Sequence, residues 1–181
     1  LRKSNTKELV YTDGTAGNTL WTMSSATPSG IIGGFQAYSN NANAVCQHTF
    51  FGTGFDLRYG GASNRSTSVT VTVNGVTLST TNFAITLNGV SQGGTGQAVS
   101  INTYGGTGFT ASTGVLALST SANNGCGFSV NGLALGSQNV KFSNNTATQY
   151  LIVEAIDIIT PIHSYKSNLY SDLQNTLTVG S

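Results

Sequence analysis

The chain has 181 residues, and only 7% of them are charged, against roughly 25% in an average soluble domain. Ser, Thr, Asn and Gly make up 88 residues, and the net charge is +1, so there is no strong electrostatic footprint for nucleic acid or anionic lipid. The composition predicts a surface of hydroxyls and amides. Such a surface suits an extracellular or virion-exposed β-protein that contacts a polar, uncharged ligand such as a glycan.

The first clear strand signals lie at residues 48–51 and 55–59, which predict a strand pair or one strand bent at the glycines between them. Residues 69–73 alternate Val with Thr, the pattern of a half-buried strand. Asn74-Gly75 and Asn88-Gly89 each follow an apolar run. Because both positions of such a pair tolerate positive φ, each pair predicts a tight hairpin turn.

The second half of the chain predicts further short strands. The Gly-rich residues 91–114 predict loops around one short strand, and residues 115–118, 127–130 and 138–143 predict three more. Residues 149–159 form the most hydrophobic run, apolar on both faces apart from two acids. We therefore expect 149–159 to be a central strand covered on both sides.

These eight to ten strands, with no crossover helix among them, predict an all-β antiparallel sandwich, most simply a jelly roll, over residues 1–161. The longest apolar stretch, 151–159, is about half as long as a membrane helix, so no membrane insertion is expected. Residues 162–181 lose the strand alternation but keep spaced Leu and Tyr side chains. They predict a C-terminal extension that packs on a partner chain as a trimerisation tail, or wraps on its own domain.

Cys46 and Cys126 are the two cysteines of the chain. A disulfide between them is one interpretation, but a secreted fold built on disulfides would carry more cysteines. The favoured interpretation is two buried free thiols, which fits folding in a reducing cytoplasm.

Four segments carry a resemblance to known families. They are FFGTGFDLRYGG (50–61), SVTVTVNGVTL (68–78), GLALGSQNVKFSNNT (132–146) and QYLIVEAIDIITP (149–161). In this order they resemble jelly-roll carbohydrate-binding modules. The ending LIVEAIDIITPIHSYK is similar to the C-terminal receptor-binding region of bacteriophage tail fibres and tailspikes. That resemblance implies a homotrimer on the virion tail, folded in the host cytoplasm, and in some relatives a self-cleaving chaperone. Residues 79–126 depart from the compact modules by being longer and richer in Gly.

The few titratable residues argue against catalysis. Glu154 and Asp157 fall on opposite faces of the predicted strand 149–159, so they do not form the carboxylate pair of a glycosidase. The two His and two Cys lack zinc-ligand spacing. We therefore predict no enzyme activity, cofactor or resident metal. His163 opens the extension, where a three-fold axis could gather three copies around a metal or anion.

Aromatic side chains supply the candidate glycan site, because sugar C–H groups pack on aromatic faces. Tyr104, flanked by glycines, is the best loop candidate, and Tyr59, Trp21 and Tyr38 are the others; for Trp21 a core role is an equal alternative. Asp56 and Arg58 share one strand face. They could bind sugar hydroxyls or form a structural ion pair.

The predicted function is non-catalytic attachment of a phage tail fibre or tailspike to bacterial surface polysaccharide. Three alternatives stay open: a carbohydrate-binding module of a larger secreted enzyme, a purely structural trimerising domain of the virion, and an esterase or glycosidase, which the missing acid/base set disfavours.

Overall fold

The computed structural model describes residues 2–5, 10–12, 21–24, 36–118 and 124–161. All the regular secondary structure within these residues is β-strand, so the all-β fold class is confirmed. The strands are β1 (Arg2–Asn5), β2 (Val10–Thr12), β3 (Thr22–Ser24), β4 (Gln36–Ser39), β5 (Val45–Gly60), β6 (Val69–Val73), β7 (Val76–Thr77), β8 (Phe83–Leu87), β9 (Val90–Gly93), β10 (Gln97–Thr103), β11 (Gly108–Thr110), β12 (Val115–Ala117), β13 (Asn124–Asn144), β14 (Leu151–Val153) and β15 (Ala155–Ile159). The extension predicted at 162–181 lies outside the described residues.

Two long strands, β5 and β13, organise the fold because each pairs in two halves. The first half of β5 pairs with the second half of β13, which carries β6 on its other edge. The second half of β5 lies between β15 and the first half of β13, which pairs onward with β10. The register shifts between Asn131 and Gly136, opposite Gly52 to Gly54. The sheet therefore curls there into two facing layers, as in a sandwich.

Pairing is not purely antiparallel as predicted, because β8 and β10 are parallel and an isolated bridge between Arg65 and Tyr150 is parallel too. The strand between them, β9, is antiparallel to β8 and uses its other edge. Gly94 and Gly96, both at positive φ, then reverse the chain again. Two reversals in succession return β10 to the direction of β8.

The two Asn-Gly hairpin turns are confirmed. Asn74 and Gly75 have φ of 52° and 78° between β6 and β7, and Asn88 and Gly89 have φ of 49° and 81° between β8 and β9. These left-handed angles match the right-handed twist of the flanking strands, so the local sequence alone specifies both turns.

The hydrophobic run at 149–159 is buried as predicted, but it is not one strand. Its first part, β14, belongs to a separate three-stranded sheet with β4 and β3, and its second part, β15, belongs to the large sheet. Glu154 lies at the break, where its backbone N–H donates to the carbonyl of Arg58 at 2.8 Å. The run is apolar on both faces because it serves two sheets in succession.

Phenylalanine rings from both layers fill the core. The Phe55 ring lies 6.0 Å from the rings of Phe50 and Phe142 and 6.3 Å from that of Phe128. Phe50 and Phe142 come from one half of the β5–β13 pair, and Phe55 and Phe128 come from the other half. These contacts hold the two layers together.

Both cysteines are free thiols in the structure, as the favoured interpretation expected. Cys46 is fully buried, and Cys126 is only partly buried. Burial raises the pKa of the Cys46 thiol, and burial raises that of Cys126 to about 11.

Within the described ranges, no helix is long and apolar enough to cross a membrane.

Candidate functional site

Tyr104, the leading sequence candidate, lies on a turn after β10 with 48% of its surface exposed. Its backbone N–H donates to Gly127 at 3.0 Å, and its carbonyl accepts from Thr107 at 3.1 Å. The ring is therefore presented to solvent on a fixed turn.

Tyr59 does not lie on a loop, which corrects the expectation for this residue. It sits near the end of β5 with no exposed surface, and its hydroxyl is hydrogen-bonded to the Thr107 hydroxyl. Trp21 is partly buried against the core, just before β3. Strand alternation turns Tyr59 inward, so its ring has no face open to a ligand.

Asp56 and Arg58 share a face of β5 as predicted, but the partner of Arg58 is Asp157 on the neighbouring strand. Arg58 Nε donates to the Asp157 carboxylate, which has no exposed surface. Of the two interpretations, the structural ion pair is therefore the one that holds for Arg58. Glu154 and Asp157 are not on opposite faces of one strand, because the break at Glu154 interrupts the alternation.

Tyr38, one of the sequence candidates, lines a cavity. The cavity encloses about 360 Å³. Its lining residues are Ser24, Gln36, Tyr38, Asn64, Arg65, Tyr150 and Ile152. They come from the three-stranded sheet, from Tyr150 just before β14 and from the segment at residues 64–65. We call this cavity the tyrosine pocket.

The register of the three-stranded sheet brings these side chains together. Ile152 pairs with Tyr38, and Gln36 pairs with Ser24. Residues two apart on a strand share a face, so Gln36 lies beside Tyr38 on the pocket side. The 64–65 segment closes the pocket through two backbone hydrogen bonds of 2.9 Å with Tyr150, one to Asn64 and one from Ser66.

The pocket combines two aromatic rings with polar groups. The Tyr38 and Tyr150 rings meet edge to face, 5.6 Å apart with an angle of 77° between their planes. Arg65 Nε donates to the carbonyl of Gly60 at 2.6 Å, and Arg65 Nη1 donates to Asn64 Oδ1 at 2.9 Å. Gln36 Oε1 is buried with no hydrogen-bond partner among the described residues. The pocket therefore presents ring surface, amide groups and an oriented guanidinium.

Glu154 lies within electrostatic reach of the pocket residue Arg65 and of Arg58. Only 2% of its surface is exposed, and neither carboxylate oxygen has a hydrogen-bond partner in the described part of the chain. Burial raises the pKa of Glu154 to about 7 although both cations act to lower it. Desolvation therefore outweighs the two guanidinium groups.

This raised pKa predicts a stability profile. The folded Glu154 carboxyl holds its proton up to about pH 7, whereas its unfolded reference is 4.5. The free energy of unfolding should therefore fall as pH rises from about 4.5 to 7 and then level off. Glu154→Gln should remove this component and make the protein more stable than wild type by about 1–3 kcal/mol at pH 8. Urea unfolding of both proteins from pH 4.5 to 8 measures it, and parallel profiles would contradict it.

The sequence did not identify Gln36, Asn64, Arg65 or Tyr150 as site residues. The only local signal was the alternation of Tyr150 and Ile152 on one face of the hydrophobic run. The described residues contain no group of three or more His, Cys, Asp or Glu side chains that could hold a metal. His163 lies outside the described residues, so a metal or anion on a three-fold axis stays a prediction.

No family model matches the chain, and no curated protein matches it. Among solved structures, the catalytic domain of Agl-KA is similar with a TM-score of 0.45 at 14% identity, over 88% of this chain and 27% of that one. The catalytic domain of GH87 alpha-1,3-glucanase is similar in a complex with tetrasaccharides (TM-score 0.39, 12% identity, 90% of this chain and 30% of that one). The same domain in a complex with nigerose gives a TM-score of 0.39 at 13% identity, over 86% and 29%. This chain thus spans less than a third of each.

These comparisons correct the prediction that the chain is not an enzyme. All three structures are catalytic domains, two of them of a GH87 alpha-1,3-glucanase, so catalysis is not excluded for this chain. At 12–14% identity and TM-scores below 0.5, no residue role passes from them to this chain. None of the three is a phage tail protein or a carbohydrate-binding module, and that resemblance stays a prediction.

Proposed function

We propose that the chain binds polysaccharide and that the tyrosine pocket holds one of its sugar units. The observation that carries this proposal is the convergence of the edge-to-face pair Tyr38 and Tyr150 with the Gln36, Asn64 and Arg65 side chains around one cavity. Sugars present both C–H faces and hydroxyl rims. A site for them needs aromatic surface beside hydrogen-bonding groups.

The size and setting of the pocket support the proposal. Its volume of about 360 Å³ falls in the range of small-molecule sites. Arg65 is held by two side-chain hydrogen bonds and Tyr150 by two backbone hydrogen bonds. These groups are therefore oriented before a ligand arrives, which reduces the entropy lost on binding.

Tyr38→Ala should weaken binding of a polysaccharide ligand at least tenfold, because it removes one of the two rings. Tyr104→Ala is the matched control, since Tyr104 is exposed on a turn outside the pocket. A glycan array identifies the ligand, and titration calorimetry compares the variants after thermal unfolding has shown that both fold. Loss of binding in Tyr104→Ala with none in Tyr38→Ala would place the site on the β10 turn instead.

The wider role that we propose is attachment of a virion tail fibre to bacterial surface polysaccharide through a homotrimer. Its support is the motif resemblance together with the low content of charged residues, 7% of the chain. Sedimentation equilibrium should give the mass of three chains, and host cells stripped of surface polysaccharide should lose binding. A monomeric mass would favour a module of a larger enzyme. Undiminished binding to stripped cells would count against a glycan receptor.

Binding and hydrolysis should be measured on the same polysaccharides. Release of reducing ends reports cleavage of glycosidic bonds, and calorimetry reports binding. The tyrosine pocket accounts for binding whether or not reducing ends appear, so the Tyr38→Ala comparison stands in either case.

A further inference from the structure

We propose that the sugar bound in the tyrosine pocket is acidic, with its carboxylate held by the guanidinium of Arg65. This inference rests on the proposed function and names the class of its ligand. It replaces the expectation of an uncharged glycan, which came from the average composition of the chain and not from the pocket itself.

Arg65 is oriented to receive a carboxylate. Its Nε donates to Gly60, its Nη1 donates to Asn64, and its backbone N–H donates to Ala62 at 3.2 Å. The remaining guanidinium N–H groups, including both on Nη2, have no acceptor among the described residues. One N–H on Nη1 and two on Nη2 are therefore left as donors for the oxygens of a carboxylate. Since Arg65 lines the cavity, a ligand there has access to this side chain.

The charge around Arg65 also favours an anion. Among the described residues, the one ion pair joins Arg58 to Asp157 and leaves Arg65 without a carboxylate within 4 Å. Among the described residues, Glu154 is the one carboxyl group that acts on Arg65 electrostatically, beside the phenols of Tyr150 and Tyr59. Burial keeps Glu154 from ionising fully at neutral pH. The net charge of the pocket region is therefore positive whenever Glu154 carries its proton.

This arrangement couples ligand binding to pH. The charged groups around Glu154 are Arg58 of β5 and Arg65, while Asp157, Asp56 and Cys126 act on Arg58. As pH falls through about 7, Glu154 becomes neutral and stops repelling a bound carboxylate. A sugar carboxylate stays ionised down to about pH 4, like other carboxylates of low pKa. Affinity for an acidic sugar should therefore rise as pH falls from 8 to 5.5.

The test pairs each acidic oligosaccharide with its carboxyl-reduced form, which keeps the same linkages and ring configuration. Oligogalacturonate, oligoguluronate, hyaluronan fragments and sialylated oligosaccharides are measured by calorimetry against their reduced counterparts. At least one acidic ligand should bind about tenfold or more tightly than its reduced form at pH 6, because a charge-assisted bidentate pair is lost on reduction. Its affinity should fall several-fold between pH 5.5 and 8.

Three substitutions locate the effect, and a fourth is the control. Arg65→Gln should abolish the preference for the acidic form, and Arg65→Lys should keep part of it, because Lys retains charge without the fork. Glu154→Gln should keep the preference and flatten its pH profile. Lys141→Gln removes a cation from β13 outside the pocket and should change neither readout. The wild-type pH profile needs no variant and remains decisive if Arg65→Gln fails to fold.

The outcomes separate this inference from the proposed function. Equal binding of acidic and reduced ligands, with loss in Tyr38→Ala, would overturn the acidic ligand and leave polysaccharide binding intact. Acidic preference that survives Arg65→Gln would overturn the role of Arg65. Absence of binding to every member of the panel and to the neutral glycan array would overturn both.

Discussion

Gly54→Ala is expected to lower the free energy of unfolding by about 3 kcal/mol or more, because the added methyl group meets backbone. A Cβ at this position would lie 2.1 Å from the carbonyl oxygen of Val130 and 3.1 Å from the Cα of Asn131. Gly54 pairs with Asn131 in the β5–β13 ladder, so relief requires the two longest strands to separate at their bend. Overpacking of a core typically costs about 1–3 kcal/mol. Because the atoms met at Gly54 are backbone atoms that cannot rotate away, the cost should lie at the top of that range or above it.

Gly125→Ala is the matched control for this substitution. Gly125 lies in β13 of the same ladder, opposite Tyr59, and a Cβ there would meet nothing within 4 Å. Urea unfolding gives both free energies by linear extrapolation. If both variants lost the same stability, the close approach at Gly54 would not be what requires glycine.

Arg58→Met is expected to cost about 3–5 kcal/mol at pH 7, because it leaves a buried carboxylate without its cation. Asp157 has no exposed surface, and its one ion pair in the described residues is with Arg58. One oxygen of the carboxylate, Oδ1, has no hydrogen-bond partner in the described part of the chain. Loss of Arg58 thus removes the one described group that compensates the burial of this charge.

Asp157→Asn on the Arg58→Met background should restore most of the lost stability, since the double variant no longer buries a charge. Chemical unfolding of the two single variants and the double variant completes the cycle. Additive losses would show that the ion pair is not the source of the effect.

Most of the candidate site could not be predicted from the sequence. Of the six candidate glycan residues, Tyr38 alone lines the tyrosine pocket. Tyr59 was named because it is aromatic and polar, but its position in β5 turns it into the core. Arg58 is a sequence candidate because it shares a strand face with Asp56. In the structure its guanidinium is hydrogen-bonded to Asp157 on the neighbouring strand. The residue types in the sequence show which side chains are able to bind sugar. The neighbouring strands decide which of those side chains are accessible to a ligand.

What the sequence by itself determined is local. Two Asn-Gly pairs determined two hairpin turns, Val-Thr alternation determined β6, and the apolar run at 149–159 determined a buried segment. Each follows from steric limits on φ or from the two-residue period of a strand. The tertiary structure decided the break at Glu154, the parallel β8–β10 pair and the tyrosine pocket. The residues that line the pocket are far apart in the sequence, from Ser24 through Arg65 to Ile152. A period-two pattern tells which face of a strand a side chain occupies, but it does not tell which distant strand packs against that face.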